Sequence, residues 1–329
     1  MNNSFLSINK FKQPPRRIVL AEGDDGRVIE AAAAANRDGI ANCILIGERE
    51  SIESQAQNAG LDLANIQIES PGTATQTAQY AANLLSLRAH KGMTEAEAQQ
   101  LVLDPLYFAD LMLQAGDADG SIAGARYTTG DVVRAAFQIV GVAPGFDTVS
   151  SSMLMIFDAD HHQPKRNMIF SDCALVVDPS AEQLAEIAEA SIETAKRLIE
   201  EEPRVAMLSF STDGSASHEK VDKVREATQM IKAKMPELAI DGEIQLDAAI
   251  VPDIAARKMP GSSIHGNANI LIFPDLNAAN IGYKIAQRFG GGKAIGPIMQ
   301  GLKKPANDLS RGCSAEDVYN LIGLTALQA

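Results

Sequence analysis

Short apolar runs alternate with helical stretches along most of the chain. Residues 17–21 form an apolar run that predicts a strand, and residues 28–37, with five consecutive alanines, predict a closely packed helix. Further predicted strands are residues 43–47, 119–123, 204–209, 268–274 and 294–298. Further predicted helices are residues 131–139, 181–200, 218–234 and 278–289. Because this alternation favours parallel sheets covered by helices on both faces, the sequence predicts an α/β fold.

Residues 148–177 break this alternation. Residues 150–157, 167–170 and 174–177 predict strands with no helix between them, and the polar stretch 158–166 predicts a hairpin loop. A change of pattern at this point indicates a domain boundary near residue 145. The chain has 329 residues, which is enough for two domains with separate cores.

A short segment near the carboxyl end, residues 307–317, carries several reactive groups in front of a predicted helix. The first turn of a helix presents free N–H groups and a partial positive charge, and Arg311 adds a guanidinium that can bind an anion such as phosphate through two hydrogen bonds. Ser310 could donate to a developing negative charge beside it. Asp317 could accept a proton from a substrate.

Three residues of this segment, Cys313, Ser314 and Asp317, also have a structural interpretation. Ser314 and Asp317 have the spacing of a helix cap, with Ser314 as the N-cap, and a cap is compatible with a role for Asp317 as a base. Cys313 lies where a thiol pKa can be lowered, which is typical of a nucleophile. Since no histidine is near it in the sequence and small thiols are often buried, we expect Cys313 to have a packing role.

Two further loops follow predicted strands and lead into helices. In residues 208–217, Ser211 and Gly214 fit a phosphate or diphosphate cradle, although an ordinary turn capped by Ser217 is the alternative.

In residues 124–134, Arg126 and Arg134 are predicted anion contacts, with Thr128 and Thr129 as hydroxyl donors, because α/β folds bind ligands at the carboxyl ends of parallel strands. The alternative is a solvated helix-surface charge, which applies more readily to Arg134.

Composition and missing motifs exclude several classes of function. The formal net charge of −13 and the absence of Trp argue against nucleic acid or an anionic membrane as a partner. The three cysteines lie in dissimilar surroundings, residues 1–17 lack the apolar core of a signal peptide, and no apolar run is long enough for a membrane span, so we expect a cytoplasmic protein. Histidine spacing indicates no metal site. Residues 290–292, three glycines after a helix, predict a helix stop and not a dinucleotide fingerprint.

Several motifs closely resemble those of the phosphate acetyl/butyryltransferase family, in particular its phosphate acetyltransferases. The motifs are NDLSRGCS at residues 307–314, VAMLSFS at 205–211, DGE at 241–243, DAA at 247–249, FPDLN at 273–277 and ANIGYKIAQR at 279–288. They occur in the family order, and the similarity runs from about residue 17 to the end of the chain. The chain resembles the compact, catalytic-only form, without the long amino-terminal extension of some members.

The resemblance implies two α/β domains with mainly parallel sheets around an interdomain cleft, in an isocitrate/isopropylmalate-dehydrogenase-like arrangement. The first domain would be discontinuous, with residues 1–145 and 297–329, and the second would comprise residues 146–296. The implied reaction converts acetyl-CoA and phosphate to acetyl phosphate and CoA, reversibly, by direct attack in a ternary complex. No tightly bound cofactor and no metal are implied, and a homodimer is expected.

The motif match also implies roles for individual residues. Asp317 resembles the proposed general base, and Ser310 and Arg311 resemble the transition-state and phosphate contacts. Arg134, and Arg88 within LRAHKGMT at residues 87–94, resemble further arginines that bind substrate.

Three alternative functions remain open at this point. A longer-chain enzyme such as phosphate butyryltransferase differs only in the volume of its acyl pocket, which the sequence decides weakly. An NAD(P)-dependent, metal-assisted decarboxylase of the same fold would need a cluster of metal-binding aspartates that the sequence does not offer. A non-catalytic acyl-CoA-binding module is disfavoured by the presence of Ser310, Arg311 and Asp317.

Overall fold

The computed structural model of the protein describes residues 14–162 and 164–329. The strands, in chain order, are β1 (Arg16–Leu20), β2 (Ala41–Ile46), β3 (Gln67–Glu69), β4 (Gly120–Ala123), β5 (Ser150–Phe157), β6 (Arg166–Ser171), β7 (Arg204–Leu208), β8 (Ala239–Ile244), β9 (Ile270–Ile272), β10 (Lys293–Gln300) and β11 (Ala306–Asp308). The helices are α1 (Gly26–Arg37), α2 (Arg49–Asn58), α3 (Thr77–Arg88), α4 (Glu95–Leu101), α5 (Pro105–Ala115), α6 (Thr129–Ile139), α7 (Ala181–Leu198), α8 (Glu219–Lys234), α9 (Leu246–Ile250), α10 (Pro252–Lys258), α11 (Leu276–Arg288) and α12 (Ala315–Gln328).

These elements form two compact units. The first unit consists of the described residues up to Pro144 together with Leu302–Ala329, and the second is Gly145–Gly301. The predicted strands and helices are confirmed to within two residues at each end, with one exception described below. None of the described helices combines the length and the apolar character needed to span a membrane. The expectation about residues 1–17 rests largely on residues 1–13, which lie outside the described residues.

The first unit contains a parallel sheet in the order β11-β4-β1-β2-β3. Consecutive residues of β4 point to opposite faces of this sheet. A Cβ atom on Gly120 would meet Thr325 of α12, whereas the hydroxyl of Ser121 donates to Asp110 of α5. Helices α12 and α5 therefore cover opposite faces, and α1 packs beside α12.

The second unit contains a sheet in the order β10-β5-β6-β9-β7-β8. Strand β5 is antiparallel to both of its neighbours, and the other pairs are parallel. The β5–β6 pair confirms the prediction of two successive strands without a helix between them. The loop predicted between them includes Gln163, which lies outside the described residues.

The prediction of a strand at residues 174–177 is wrong. These residues form a loop, because the carboxylate of Asp172 accepts hydrogen bonds from the backbone N–H groups of Ala174, Leu175 and Val176 at 2.9, 3.1 and 3.0 Å. Donors that a strand would offer to a neighbouring strand are thus used by a side chain.

The helix stop predicted at residues 290–292 is confirmed. Helix α11 ends at Arg288, and the N–H of Gly290 donates to the carbonyl of Ile285 at 3.2 Å. Gly291 follows with a φ of +72°, a left-handed conformation that favours glycine.

Candidate active site

The terminal motif, NDLSRGCS at residues 307–314, forms a tight turn between β11 and α12. The N–H of Cys313 donates to the carbonyl of Ser310 at 2.9 Å, and α12 begins two residues later with Ser314 as its N-cap. The Asp317 carboxylate accepts from both the N–H and the hydroxyl of Ser314 at 2.8 Å, and its own N–H donates to that hydroxyl at 3.2 Å. The predicted helix cap is therefore confirmed.

The side chains that the sequence assigns to catalysis leave this turn on its exposed side. Ser310, Arg311 and Asp317 are all exposed to solvent. The Ser310 hydroxyl accepts a long hydrogen bond from the N–H of Gly312, at 3.3 Å. Within residues 14–162 and 164–329 the Arg311 guanidinium forms no hydrogen bond or ion pair, so its donors are free to meet an anion. The structure thus brings the three predicted catalytic residues together at one helix N-terminus.

The loops after β1, β4 and β11 meet at the carboxyl edge of the first sheet. The strand order reverses there, because β2 and β3 lie on one side of β1 while β4 and β11 lie on the other. Such a switch point is where α/β sheets bind ligands. Glu22, which is 2% exposed, accepts hydrogen bonds from the backbone N–H groups of Ala125, Arg126 and Tyr127 at 2.9, 2.6 and 2.9 Å. One buried carboxylate therefore fixes the loop that leads into α6.

The N-cap and the first two turns of α6 carry three of the predicted substrate contacts. Thr128 is the N-cap of α6, and its hydroxyl donates to Asp131 at 2.6 Å. The hydroxyl of Thr129 donates to Asp308 at 2.6 Å, which ties α6 to the terminal motif. Arg134 is exposed and pairs with Asp131 at 3.0 Å. The hydroxyls are thus engaged within the protein, and their contact with substrate, like that of Arg134, stays a prediction.

Asp308, the last residue of β11, is a buried carboxyl directly before the turn that carries Ser310 and Arg311. Burial raises its pKa to about 6, and the hydrogen bond from Thr129 acts in the opposite direction. Its second oxygen, Oδ1, has no hydrogen-bond partner within the described residues. A Cβ atom on Gly124 would lie 2.2 Å from this oxygen, and Gly124 has a φ of +107°, so only glycine fits there.

The charges of Arg88 and Arg134 both act on the phenol group of Tyr107. Burial raises the pKa of Tyr107, and the positive charges of both arginines act against this rise. Arg88 ends α3 and lines a cavity of about 440 Å³ together with Lys91 and Met93. Its guanidinium forms no hydrogen bond or ion pair within the described part of the chain. The two arginines therefore lie in one region of the first unit, and their role in substrate binding stays a prediction.

The predicted phosphate cradle of the second unit is filled by a side chain of the protein. Glu243, 3% exposed, accepts from the Ser211 hydroxyl and the Gly214 N–H, both at 2.9 Å. Arg225 holds the same carboxylate through its Nε and Nη2 atoms at 2.5 and 2.9 Å.

The Glu243 carboxylate thus occupies the two donors that were predicted to bind phosphate. Binding of a substrate phosphate by Ser211 and Gly214 stays a prediction. The alternative cap is wrong, because His218, and not Ser217, is the N-cap of α8.

Cys313 lies against the core with 7% of its surface exposed. Burial raises the pKa of its thiol, and the positive charge of Arg27 only partly opposes this effect. A raised pKa keeps the sulfur protonated near neutral pH, which does not suit a nucleophile. The packing interpretation of Cys313 agrees with this environment.

Sequence reasoning did not identify Glu22, Asp25 and Arg27 as part of this region. Arg27 donates to the backbone carbonyls of Arg311 and Cys313 at 2.9 and 3.0 Å. A usable signal was present, since the polar stretch EGDDGR at residues 22–27 directly follows a predicted strand. Over the described residues, no group of three or more His, Cys, Asp or Glu side chains is arranged to hold a metal ion.

The chain is similar to known proteins in both sequence and structure. The sequence matches the family described as phosphate acetyl/butaryl transferase over residues 6–326. It is 48% identical to a phosphate acetyltransferase from Clostridium acetobutylicum, over 97% of this chain and 96% of the relative. The EutD phosphotransacetylase from Staphylococcus aureus has a similar structure, with a TM-score of 0.90 and 43% identity over 98% of this chain and 97% of that one.

A phosphotransacetylase from Streptococcus pyogenes is also similar, with a TM-score of 0.91 and 42% identity over 97% of this chain and 95% of that one. Both the α/β fold class and the family resemblance predicted from the motifs are therefore confirmed. The chain belongs to the phosphate acetyl/butaryl transferase family.

Proposed function

We propose that the protein is a phosphate acetyltransferase, which transfers an acetyl group reversibly between CoA and inorganic phosphate. The observation that carries the proposal is the exposed Arg311 guanidinium beside Ser310 and Asp317 at the N-terminus of α12, with no hydrogen-bond or ion-pair partner among the described residues. A free guanidinium at a helix N-terminus suits a phosphate dianion. Relatives named phosphate acetyltransferase, at 48% identity and nearly full coverage, support acetyl as the acyl group.

The reaction proceeds by direct attack within a complex of both substrates. The sulfur of CoA attacks the carbonyl carbon of acetyl phosphate, and the bond between that carbon and the phosphate oxygen breaks. Phosphate leaves with the electron pair of the broken bond, and the thiol proton passes to the Asp317 carboxylate. Arg311 neutralises the phosphate, and Ser310 donates a hydrogen bond to the carbonyl oxygen as negative charge develops on it.

The surroundings of Asp317 set a condition on this mechanism. A carboxylate with an ordinary pKa near 4 is a weak base for a thiol with a pKa of about 8.5. Asp317 is exposed, and its carboxylate already accepts two hydrogen bonds from Ser314. The positive charge of Arg311 and the helix N-terminus must therefore lower the pKa of the CoA thiol for transfer to be efficient.

A single assay separates the proposal from its alternatives. Purified protein is mixed with acetyl phosphate and CoA, and thioester is measured without added metal or NAD. The proposal predicts rapid thioester formation, whereas a non-catalytic CoA-binding module or an NAD-dependent decarboxylase would form none. Repeating the assay with butyryl phosphate compares acyl lengths, since one methylene changes rates by about 10–200-fold. Faster transfer of butyryl than of acetyl would overturn the acetyl assignment.

The proposal includes CoA, acetyl-CoA, phosphate and acetyl phosphate as the binding partners, with no tightly bound cofactor. It also includes a homodimer, as the sequence resemblance implies, and a cytoplasmic location, as the cysteines and the apolar pattern of the sequence indicate. Light scattering coupled to size-exclusion chromatography measures the mass of the native protein against the 35.0 kDa of one chain. A single-chain mass at assay concentrations would contradict the dimer.

A further inference from the structure

Arg27, in the first turn of α1, lies against the backbone of the terminal motif. A guanidinium has five N–H groups, and here each one has an oxygen acceptor. Nε and Nη2 donate to the two carboxylate oxygens of Asp25 at 2.9 and 2.8 Å. Nη1 donates to the carbonyls of Arg311 and Cys313 at 2.9 and 3.0 Å, and Nη2 also donates to the carbonyl of Ala125 at 3.0 Å. The full set of bonds holds the guanidinium in one orientation.

These acceptors belong to three loops that follow neighbouring parallel strands. Asp25 follows β1, Ala125 follows β4, and Arg311 and Cys313 follow β11. Arg27 is separated from Ala125 by 98 positions in the sequence and from Arg311 by 284. One side chain therefore joins the three loops at the switch point of the first sheet.

The bonds from Arg27 determine how the catalytic turn presents its side chains. With the Arg311 and Cys313 carbonyls held on the inner side, the Ser310 and Arg311 side chains extend from the exposed side of the turn. Arg27 itself keeps only part of its surface in solvent and is paired with Asp25, so its charge is already neutralised. Its geometry is that of a support for the backbone and not of a second phosphate ligand.

We propose that Arg27 is a positioning residue, which sets the orientation of Ser310 and Arg311 by holding the backbone of residues 310–313. The inference rests on the proposed function, because those two side chains are the charge-handling groups of that reaction. A misplacement of about 1 Å at a reacting centre is worth about 10²-fold in rate. Loss of Arg27 should therefore lower kcat by about that factor while changing KM much less.

The kinetic test compares three variants of the full chain. Arg27→Ala removes all five donors, and Arg27→Lys keeps the charge and can keep the pair with Asp25, but its three N–H groups cannot serve five oxygens in one plane. Both variants should lose kcat. Arg37→Ala is the matched control, because it removes an exposed arginine from the other end of the same helix. Wild-type kcat in Arg27→Lys, or a loss confined to KM, would overturn the proposal. If Arg27→Ala does not fold, the kcat of Arg27→Lys alone tests the proposal.

A second measurement does not depend on the reaction. Release of the turn should expose the Cys313 sulfur, so a thiol reagent should label Cys313 several-fold faster in Arg27→Ala than in wild type. Cys43 and Cys173 are at most 1% exposed and serve as internal references in the same sample. An unchanged rate of Cys313 labelling in Arg27→Ala would show that Arg27 does not hold the turn in place. Faster labelling in a protein whose wild type forms no thioester would instead show that the proposed function has failed.

Discussion

The Asp317 carboxylate accepts hydrogen bonds from both the backbone N–H and the hydroxyl of Ser314, and both bonds go to Oδ2 at 2.8 Å. Its other oxygen, Oδ1, accepts no hydrogen bond within the described residues. One oxygen therefore serves the helix cap, and the other is available to accept a proton. Because the cap and the base use different atoms, separate substitutions can test them.

Asp317→Asn should lower kcat by about 10²–10⁴-fold, which is the usual contribution of a general base, with smaller changes in KM. An asparagine side chain keeps an oxygen acceptor for the cap, so α12 should remain folded. Ser314→Ala is the matched control, since it removes the cap and should cost about 0.5–2 kcal/mol of unfolding free energy. Steady-state kinetics and urea unfolding measure the two effects. Near-wild-type kcat in Asp317→Asn, or an equal loss of kcat in Ser314→Ala, would contradict the role of Asp317 as the base.

Arg311→Lys should lower kcat/KM for phosphate by about 10–100-fold, because a lost charge-assisted hydrogen bond is worth about 1.5–3 kcal/mol. A lysine ammonium keeps the charge but cannot form the planar pair of bonds. Arg37→Lys, on the surface of α1, is the control for the same chemical change. Initial rates over a range of phosphate concentrations give the ratio. Unchanged kinetics in Arg311→Lys would mean that the phosphate is held elsewhere.

Cys313→Ala should keep most of the wild-type kcat, because burial raises the pKa of this thiol and keeps it protonated. The loss of packing should cost about 1 kcal/mol of unfolding free energy. Turnover and thermal unfolding of the variant measure both quantities. Complete loss of turnover in a folded Cys313→Ala protein would replace direct attack with an acyl-enzyme at this sulfur.

Asp110 should make the protein less stable as the pH rises from about 4 to 7. Burial raises its pKa to about 7, and the hydrogen bond from the Ser121 hydroxyl acts in the opposite direction. The same carboxyl in the unfolded chain titrates near pH 4, so between these values the folded state binds more protons than the unfolded state. Stability therefore falls through this range and levels off above about pH 7.

Asp110→Asn removes this titration and keeps an acceptor for Ser121, so its urea midpoint should fall less between pH 5 and pH 8 than that of the wild type. Asp253→Asn, an exposed carboxyl in the first turn of α10, is the control and should follow the wild type. An equal fall in Asp110→Asn and wild type would show that Asp110 does not titrate in this range.

Local patterns predicted the elements and the helix cap of the catalytic turn well. Strand β5 and the cap formed by Ser314 and Asp317 depend on residues within a few positions of each other, and both were found where expected. The apolar composition of residues 174–177 predicts a strand, and this prediction is wrong. The carboxylate of Asp172 accepts hydrogen bonds from their backbone N–H groups and so holds them in a loop. The apolar pattern of the sequence gives no indication of these hydrogen bonds.

The sequence by itself determined the α/β class, the family and the placement of Ser310, Arg311 and Asp317 on one turn, because periodicity and short motifs are properties of neighbouring residues. Only the tertiary structure decided which distant groups support that turn. Glu22 reaches the N–H of Arg126 across 104 positions, and Arg27 reaches the carbonyl of Arg311 across 284. Likewise, the Glu243 carboxylate accepts hydrogen bonds from Ser211 and Gly214. These hydrogen bonds form only when parallel strands bring their carboxyl ends together, which is a consequence of strand order and not of local sequence.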